Sequence, residues 1–315
     1  MTDLAAPLRS EMQSFLAGFA GQKVLFIPNE GNVGDCLIFA ATLSAFDKAG
    51  IAVEVVDDTA DFHDRTVFLG GGGNLVDIYR GMRETLEATR SNGARVVLLP
   101  HTIRGNIDLI QSLDDRFTIW CRELHSFEHV RKLRPDLDCR LGHDMAFHCD
   151  ATEFLADPDY RKRAQSLLET GLRDHNTSLE RLSELPLVRF MRTDREALSS
   201  RVETDLDVSR AFGRVADAET SKIAAWCFLK TISVTQRVVT DRLHVAIACA
   251  LLGKQCRLLD NSYNKNRGIY AHSLRGFDWL TFDSAAGEKI SDQPARRKPF
   301  LQRIAGHAHR LTRNR

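Results

Sequence analysis

Runs of β-branched and aromatic residues, each closed by glycine or polar punctuation and followed by a helical pattern, recur along this chain and restrict its fold more than any other feature. "KVLFIP" leads into "NEGNVGD" and the helical "CLIFAATLSAFDKAG", and "IAVEVVD" follows. "TVFLGGGGN" leads into "LVDIYRGMRETLEATRSNG", and "ARVVLLPHTIRG", "FTIWCREL" with "HSFEHVRKLRP", and "DCRLGHDMAFHC" complete the first half. Strands alternating with helices imply parallel βαβ units, hence a doubly wound α/β sheet. Residues 158–185 break the rhythm with a charged, apolar-poor helical stretch, after which "LPLVRFMRTDRE", "AETSKIAAWCFLKTISV", "RVVTD", "LHVAIACALLG" and "CRLLDN" form a second α/β series. The predicted architecture is two Rossmann-like domains facing a cleft: residues 1–157, a helical connection over 158–185, residues 186–292, and a basic tail over 293–315.

A chain of 315 residues with 43% hydrophobic and 27% charged content suits a soluble globular protein of two domains. Its longest apolar stretches, such as 245–252, fall well short of the roughly 20 residues that span a bilayer. Leu4, Leu8, Met12, Phe15, Leu16 and Phe19 recur at helical spacing among early acidic residues, which predicts an amphipathic first helix rather than a signal peptide. The seven cysteines contain no CxxC and sit mostly in apolar segments. They read as buried free thiols of a cytoplasmic protein, with neither a disulfide framework nor a zinc site. Residues 293–315 hold seven Lys or Arg and no acid, leaving 36 basic against 42 acidic groups elsewhere.

In open α/β sheets ligands sit beyond the carboxyl ends of strands, where helix N-termini point N–H groups at anions. The strand-end junctions are therefore the places to search. In "NEGNVGD", Gly31 and Gly34 permit a tight turn while Asn32 and Asp35 offer polar groups at a helix start; a ligand loop and a plain βα turn both satisfy this pattern. The run of four glycines before Asn74 costs backbone entropy, so either a ligand or a closely packed neighbouring backbone must require it. Gly71, Gly72, Gly73 and Asn74 are expected to line the cleft. His101 closes the strand "LLPH", where a satisfied strand-end histidine is commoner than a ligand contact. Arg122 with Glu123 reads as an ion pair at the cleft edge, and Asp144 as a cap.

"VVTDRLHVAIACALLG" is the most informative junction. Asp241 is a candidate N-cap, and Arg242 and His244 fall in the first helical turn, where positive charge opposes the helix dipole. An anion there turns the conflict into a binding site, with backbone N–H groups, a guanidinium and an imidazole converging on it. Such a histidine is also placed to move a proton near neutral pH. Arg189, Arg192 and Arg195 at one further strand end, and Lys265 and Arg267 at another, extend the pattern towards a doubly anionic ligand.

The order "NEGNVGD … FLGGGGN … LLPHTI … CRE … GHDMAF … RTDRE … TDRLHVAIACALLGK … DNSYNK" resembles the polysaccharide pyruvyl transferase family over most of residues 23–275, with "DRLH" its most specific part. The resemblance implies a GT-B type fold and transfer of a pyruvyl group from phosphoenolpyruvate, as co-substrate and without a cofactor, to sugar hydroxyls as a ketal. It further implies that Arg242, the Leu243 N–H and His244 hold phosphoenolpyruvate, with Arg192 as a second clamp and Lys265 nearby, and that His244 and Arg242 serve catalysis. Asn32, Asp35, Gly71 to Asn74 and His101 then lie on the acceptor side. The chain departs from many relatives at His101, where they carry glutamine, so its acceptor surface is expected to differ. No metal is required, and the sequence shows no ligand cluster for one.

The tail places Phe300, Leu301, Ile304, Ala308 and Leu311 on one helical face. Residues 296–315 therefore read either as a basic amphipathic helix resting on an anionic membrane, near lipid-linked oligosaccharide acceptors, or as a frayed terminus. Nothing points to nucleic acid. Two rival functions remain: a GT-B glycosyltransferase using a nucleotide sugar, and a catalytically silent partner in a polysaccharide assembly complex, since function resides in the site rather than the fold.

Overall fold

The computed structural model describes residues 3–194, 203–260 and 265–283. Seven strands form the first sheet: β1 (Lys23–Ile27), β2 (Ala52–Val55), β3 (Thr66–Leu69), β4 (Gly72–Leu75), β5 (Arg95–Ile103), β6 (Phe117–Cys121) and β7 (Asp138–Leu141). Their order is β2-β1-β3-β5-β6-β7, with β4 paired to β5. A second sheet has the order β11-β10-β9-β8, from β8 (Val188–Phe190), β9 (Arg237–Thr240), β10 (Gln255–Leu259) and β11 (Leu280–Asp283). The pairings between these strands are parallel. β6 is buried along its whole length and β5 beyond its first residue, as continuous apolar runs require in a sheet covered on both faces.

The glycine run departs from expectation. It does not open directly into a helix: Gly70 and Gly71 bend the chain so that β3 and β4 lie in succession along β5, Leu69 opposite Leu98 and Gly72 opposite His101. A Cβ at Gly70 would stand 2.3 Å from the Asn29 amide nitrogen, and one at Gly71 2.8 Å from the Pro100 carbonyl oxygen. Close approach of neighbouring backbone is thus what these two glycines serve. The following helix starts only at Gly81, so residues 75–80 are not helical.

One apolar core joins the two sheets. Leu16 and Phe19 near the first helix, Phe39 and Phe46 of the helix Val33–Lys48, Phe190 of β8, Trp226 and Phe228 of the helix Ala218–Ser233, and Val245 and Ile247 belong to a single buried cluster. The helices Val33–Lys48 and Ala218–Ser233 pack on each other across the middle of the molecule. A second cluster, including Leu25, Phe62, Leu86, Phe117 and Val130, fills the other face of the first sheet. In the 158–185 stretch the helix Pro158–Asp174 buries Ala164, Leu168 and Leu172 against the helix Ala218–Ser233 and leaves its charged face to water. All seven cysteines are buried and free. Among the described residues no helix is long and apolar enough to cross a membrane.

Candidate active site

The carboxyl ends of both sheets open onto one cleft of about 700 Å³. Its first-sheet wall includes Asn29, Asn32, Asp35, Gly73, Asn74, Tyr79 and Arg122; its second-sheet wall includes Arg192, Arg214, Arg242, Leu243, His244 and Asn266.

"NEGNVGD" is both a helix start and part of the wall. Asn32 caps the helix Val33–Lys48: its Oδ1 accepts from the Gly34 N–H at 2.8 Å, and Asp35 Oδ2 accepts from the Asn32 N–H at 3.0 Å, a reciprocal capping box. The Val215 N–H donates to the Gly31 carbonyl at 3.0 Å, and Asn32 forms a β-bridge with Arg214, so the loop is tied to the second half of the chain.

Gly71, Gly72 and His101 lie beneath this wall rather than on it; all three are buried and none lines the cleft. The reason is the β4 pairing, which turns this segment along β5. His101 Nε2 lies 2.9 Å from Asn74 Oδ1 and 3.3 Å from the Asn74 amide nitrogen, so it holds the residue that does reach the cleft.

At "DRLH" the cap is Arg242 itself, not Asp241, and the helix runs Leu243–Leu252. Asp241 is buried and accepts the Arg192 N–H at 2.8 Å, and its burial pushes the carboxyl above its ordinary range. The two arginines converge. Arg192 Nε donates to Asp194 Oδ1 at 2.8 Å, and Arg242 Nη1 lies 2.9 Å from Asp194 Oδ2. Arg242 also grips Asp207 with Nε to Oδ1 at 3.1 Å and Nη2 to Oδ2 at 2.5 Å. Asp207 carried no signal in the sequence, because a counter-ion 35 positions from Arg242 looks like any surface acid, and Asp194, two residues from Arg192, gave no sign that it also meets Arg242, 48 positions on. Lys265 begins the short helix Lys265–Ile269, but its side chain lies outside the described residues, as does Arg195. Asn266, next to Lys265, is buried on the cleft wall and donates to the Asp241 and Leu259 carbonyls at 2.8 and 2.9 Å.

Arg122 does not pair with Glu123. Glu123 binds Arg104 at 2.8 Å, whereas Arg122 Nη1 donates to Asp144 Oδ2 at 2.6 Å with both side chains buried. Successive residues leaving a strand point to opposite faces, so Arg122 and Glu123 find different partners. Asp144 also caps the 3₁₀ turn Met145–His148. Burial alone would raise its carboxyl, but Arg122 and His244 hold it well below the usual carboxylate range.

Fold and site together define a parallel two-sheet α/β protein whose cleft sets arginines and a histidine at a helix N-terminus. The chain matches the polysaccharide pyruvyl transferase family over residues 32–263 and belongs to that family of transferases. It is similar to a Bacillus subtilis (strain 168) protein named "Putative pyruvyl transferase EpsO", at 25% identity over 279 residues, covering 79% of this chain and 84% of that one. It also shares its fold with an uncharacterized protein from Klebsiella pneumoniae subsp. pneumoniae, whose crystal structure aligns with a TM-score of 0.71 at 24% identity, covering 90% of this chain and 100% of the other.

Proposed function

We propose that this protein moves a pyruvyl group from phosphoenolpyruvate to two hydroxyls of a sugar, forming a ketal, in the synthesis of an exopolysaccharide or other cell-surface glycan. The observation that carries this reading is the convergence of Arg192 and Arg242 on one carboxylate, Asp194, beside His244 at the N-terminus of the helix Leu243–Leu252. Phosphoenolpyruvate has the charge and size to replace Asp194 there: its phosphate and carboxylate offer two anionic groups to two guanidinium forks and to the Leu243 N–H. Asp194 is partly exposed, so it can yield this position without desolvating a new charge.

In the proposed reaction His244 gives a proton to the C3 methylene while one sugar hydroxyl adds to C2, its own proton returning to His244. The bond from C2 to the phosphate oxygen then breaks and a second hydroxyl adds to C2, its proton leaving with the phosphate, so the products are the ketal and inorganic phosphate. Asn32, Asp35, Gly73, Asn74 and Tyr79, on the other wall of the cleft, are assigned to the acceptor. The two sheets facing this cleft are read as a GT-B type arrangement, and the protein as cytoplasmic. Contact with a membrane bearing a lipid-linked acceptor would depend on residues 296–315, which lie outside the described residues.

Thermal-shift titration with phosphoenolpyruvate, beside UDP and GDP sugars, tests the reading. Stabilisation by phosphoenolpyruvate alone, abolished in Arg242→Ala/His244→Ala, is expected. Stabilisation by a nucleotide sugar instead would replace pyruvyl transfer with glycosyl transfer, and unaltered glycan pyruvylation in cells carrying His244→Ala would overturn a catalytic role.

A further inference from the structure

His244 is flanked by two elements of the other half of the molecule. On one side stands Asp144, wholly buried after β7, with Oδ2 3.7 Å from His244 Nε2. On the other stands Gly34, so close that a Cβ there would lie 2.2 Å from His244 Nδ1. Nε2 itself is buried and has no hydrogen-bond partner among the described residues, although the side chain as a whole keeps some exposure on the cleft wall. An imidazole N–H in such a place needs an acceptor.

We propose that Asp144 is the positioning residue for His244: it receives the Nε2–H, fixes the ring's tautomer, and leaves Nδ1 as the nitrogen that serves the cleft. The carboxylate is itself held rigidly. Oδ1 accepts the Ala146 N–H at 2.9 Å, and Oδ2 accepts Arg122 Nη1 at 2.6 Å, while Arg122 Nε donates to Thr102 Oγ1 at 2.9 Å. With Asp144 fixed at both oxygens, the remaining gap to Nε2 is closed by a small movement of the imidazole, as catalytic contacts tighten in the substrate complex. The proton donor is thereby assembled from both sheets: the imidazole from the end of β9, the carboxylate from the end of β7.

The other charges around the imidazole do not replace Asp144. Arg122 is spent on Asp144, Arg242 on Asp194 and Asp207, and Asp35 on the Asn32 cap. Gly34 brings the partial positive charge of a helix N-terminus, which disfavours the imidazolium. Asp144 is the anion that offsets it.

The inference rests on His244 being the proton donor, and two measurements separate its failure from the failure of that reading. ¹⁵N NMR of histidine-labelled full-length protein, with the His244 signal assigned by His244→Gln, reads tautomer and titration without any substrate. Wild type is expected to keep Nε2 protonated in the neutral ring, with Nδ1 titrating. In Asp144→Asn the His244 titration is expected to move down, because removing an adjacent anion disfavours the charged ring. In pyruvyl transfer the same variant should lower kcat at least tenfold with KM for phosphoenolpyruvate within twofold, and the alkaline limb of its pH profile should move down with the titration. A wild-type His244 protonated at Nδ1 when neutral, or a titration that Asp144→Asn does not move, would overturn the proposal. The wild-type tautomer decides even where the variant fails to fold. Absence of pyruvyl transfer by wild type with the expected NMR result would instead count against the functional reading alone.

Discussion

Arg242 meets Asp207 through two hydrogen bonds, Nε to Oδ1 at 3.1 Å and Nη2 to Oδ2 at 2.5 Å, with both side chains buried. Asp207 also accepts from the Thr193 N–H and Oγ1, both at 2.9 Å, so one carboxylate organises the strand end that carries Arg192 and the cap of the helix behind it. Arg192 and Arg242 therefore arrive with their own counter-ions and in a set geometry, rather than as an open positive patch.

Asp207→Ala should consequently destabilise the protein by about 3 kcal/mol, since breaking a buried pair strands the remaining charge. Chemical denaturation of the variant against wild type measures this. A loss below 0.5 kcal/mol, on the order of a surface pair, would show that the network is not structural.

Gly34→Ala introduces a methyl into the His244 ring, with atoms at 2.2 and 2.7 Å from the new carbon. Both residues sit in packed surroundings, so the expected cost is about 2 kcal/mol in stability, with a larger proportional loss in activity because the imidazole is displaced. Parallel melting curves and transfer assays would read both effects, and a fully active variant would contradict the packing described here.

Gly70→Ala should disturb folding more than catalysis. The nearest atoms to its Cβ are the backbone nitrogen of Asn29 at 2.3 Å and the carbonyl carbon of Pro28 at 3.1 Å, neither of which can swing aside. A drop of about 2–3 kcal/mol in unfolding free energy is expected, and an unchanged melting temperature would count against the β3–β4 bend.

Mild acid should weaken the fold through histidines at the junction of the halves. His143 stacks on His272 at 4.4 Å, and burial, then the charges of His272 and His148, push its imidazole down to about 3. His148 is pushed down to about 4 by burial, then by Arg9 and Lys48. These groups stay neutral in the fold but take up protons near pH 6.5 once unfolded, so the unfolded state binds more protons between about 6.5 and 4. Stability is complete above that window and falls as pH drops through it, by roughly 1 kcal/mol per pH unit for each group. Unfolding curves from pH 7 to 4.5 should show this slope, and His143→Asn should reduce it; a slope indifferent to His143 would refute the assignment.

The order of elements and the identity of the sensitive junction are legible along the chain alone. Strand runs punctuated by glycine and asparagine, with helical periods between them, are local patterns, and they carried the parallel α/β class, the helix behind "DRLH" and the polar helix start at Asn32 and Asp35. An arginine and a histidine at a helix start are likewise visible in one dimension, because the dipole they oppose belongs to their own helix. Which acid answers which base depends on the packing of the two sheets. Arg122 adjoins Glu123 in the chain yet pairs with Asp144, and Arg242 adjoins Asp241 yet pairs with Asp207 and Asp194. The glycine run went the same way: its backbone freedom was legible, but its use was set by Asn29 and Pro100, brought close by β1 and β5. Direction out of a strand and packing across sheets fix such contacts, and neither is encoded in nearness along the chain.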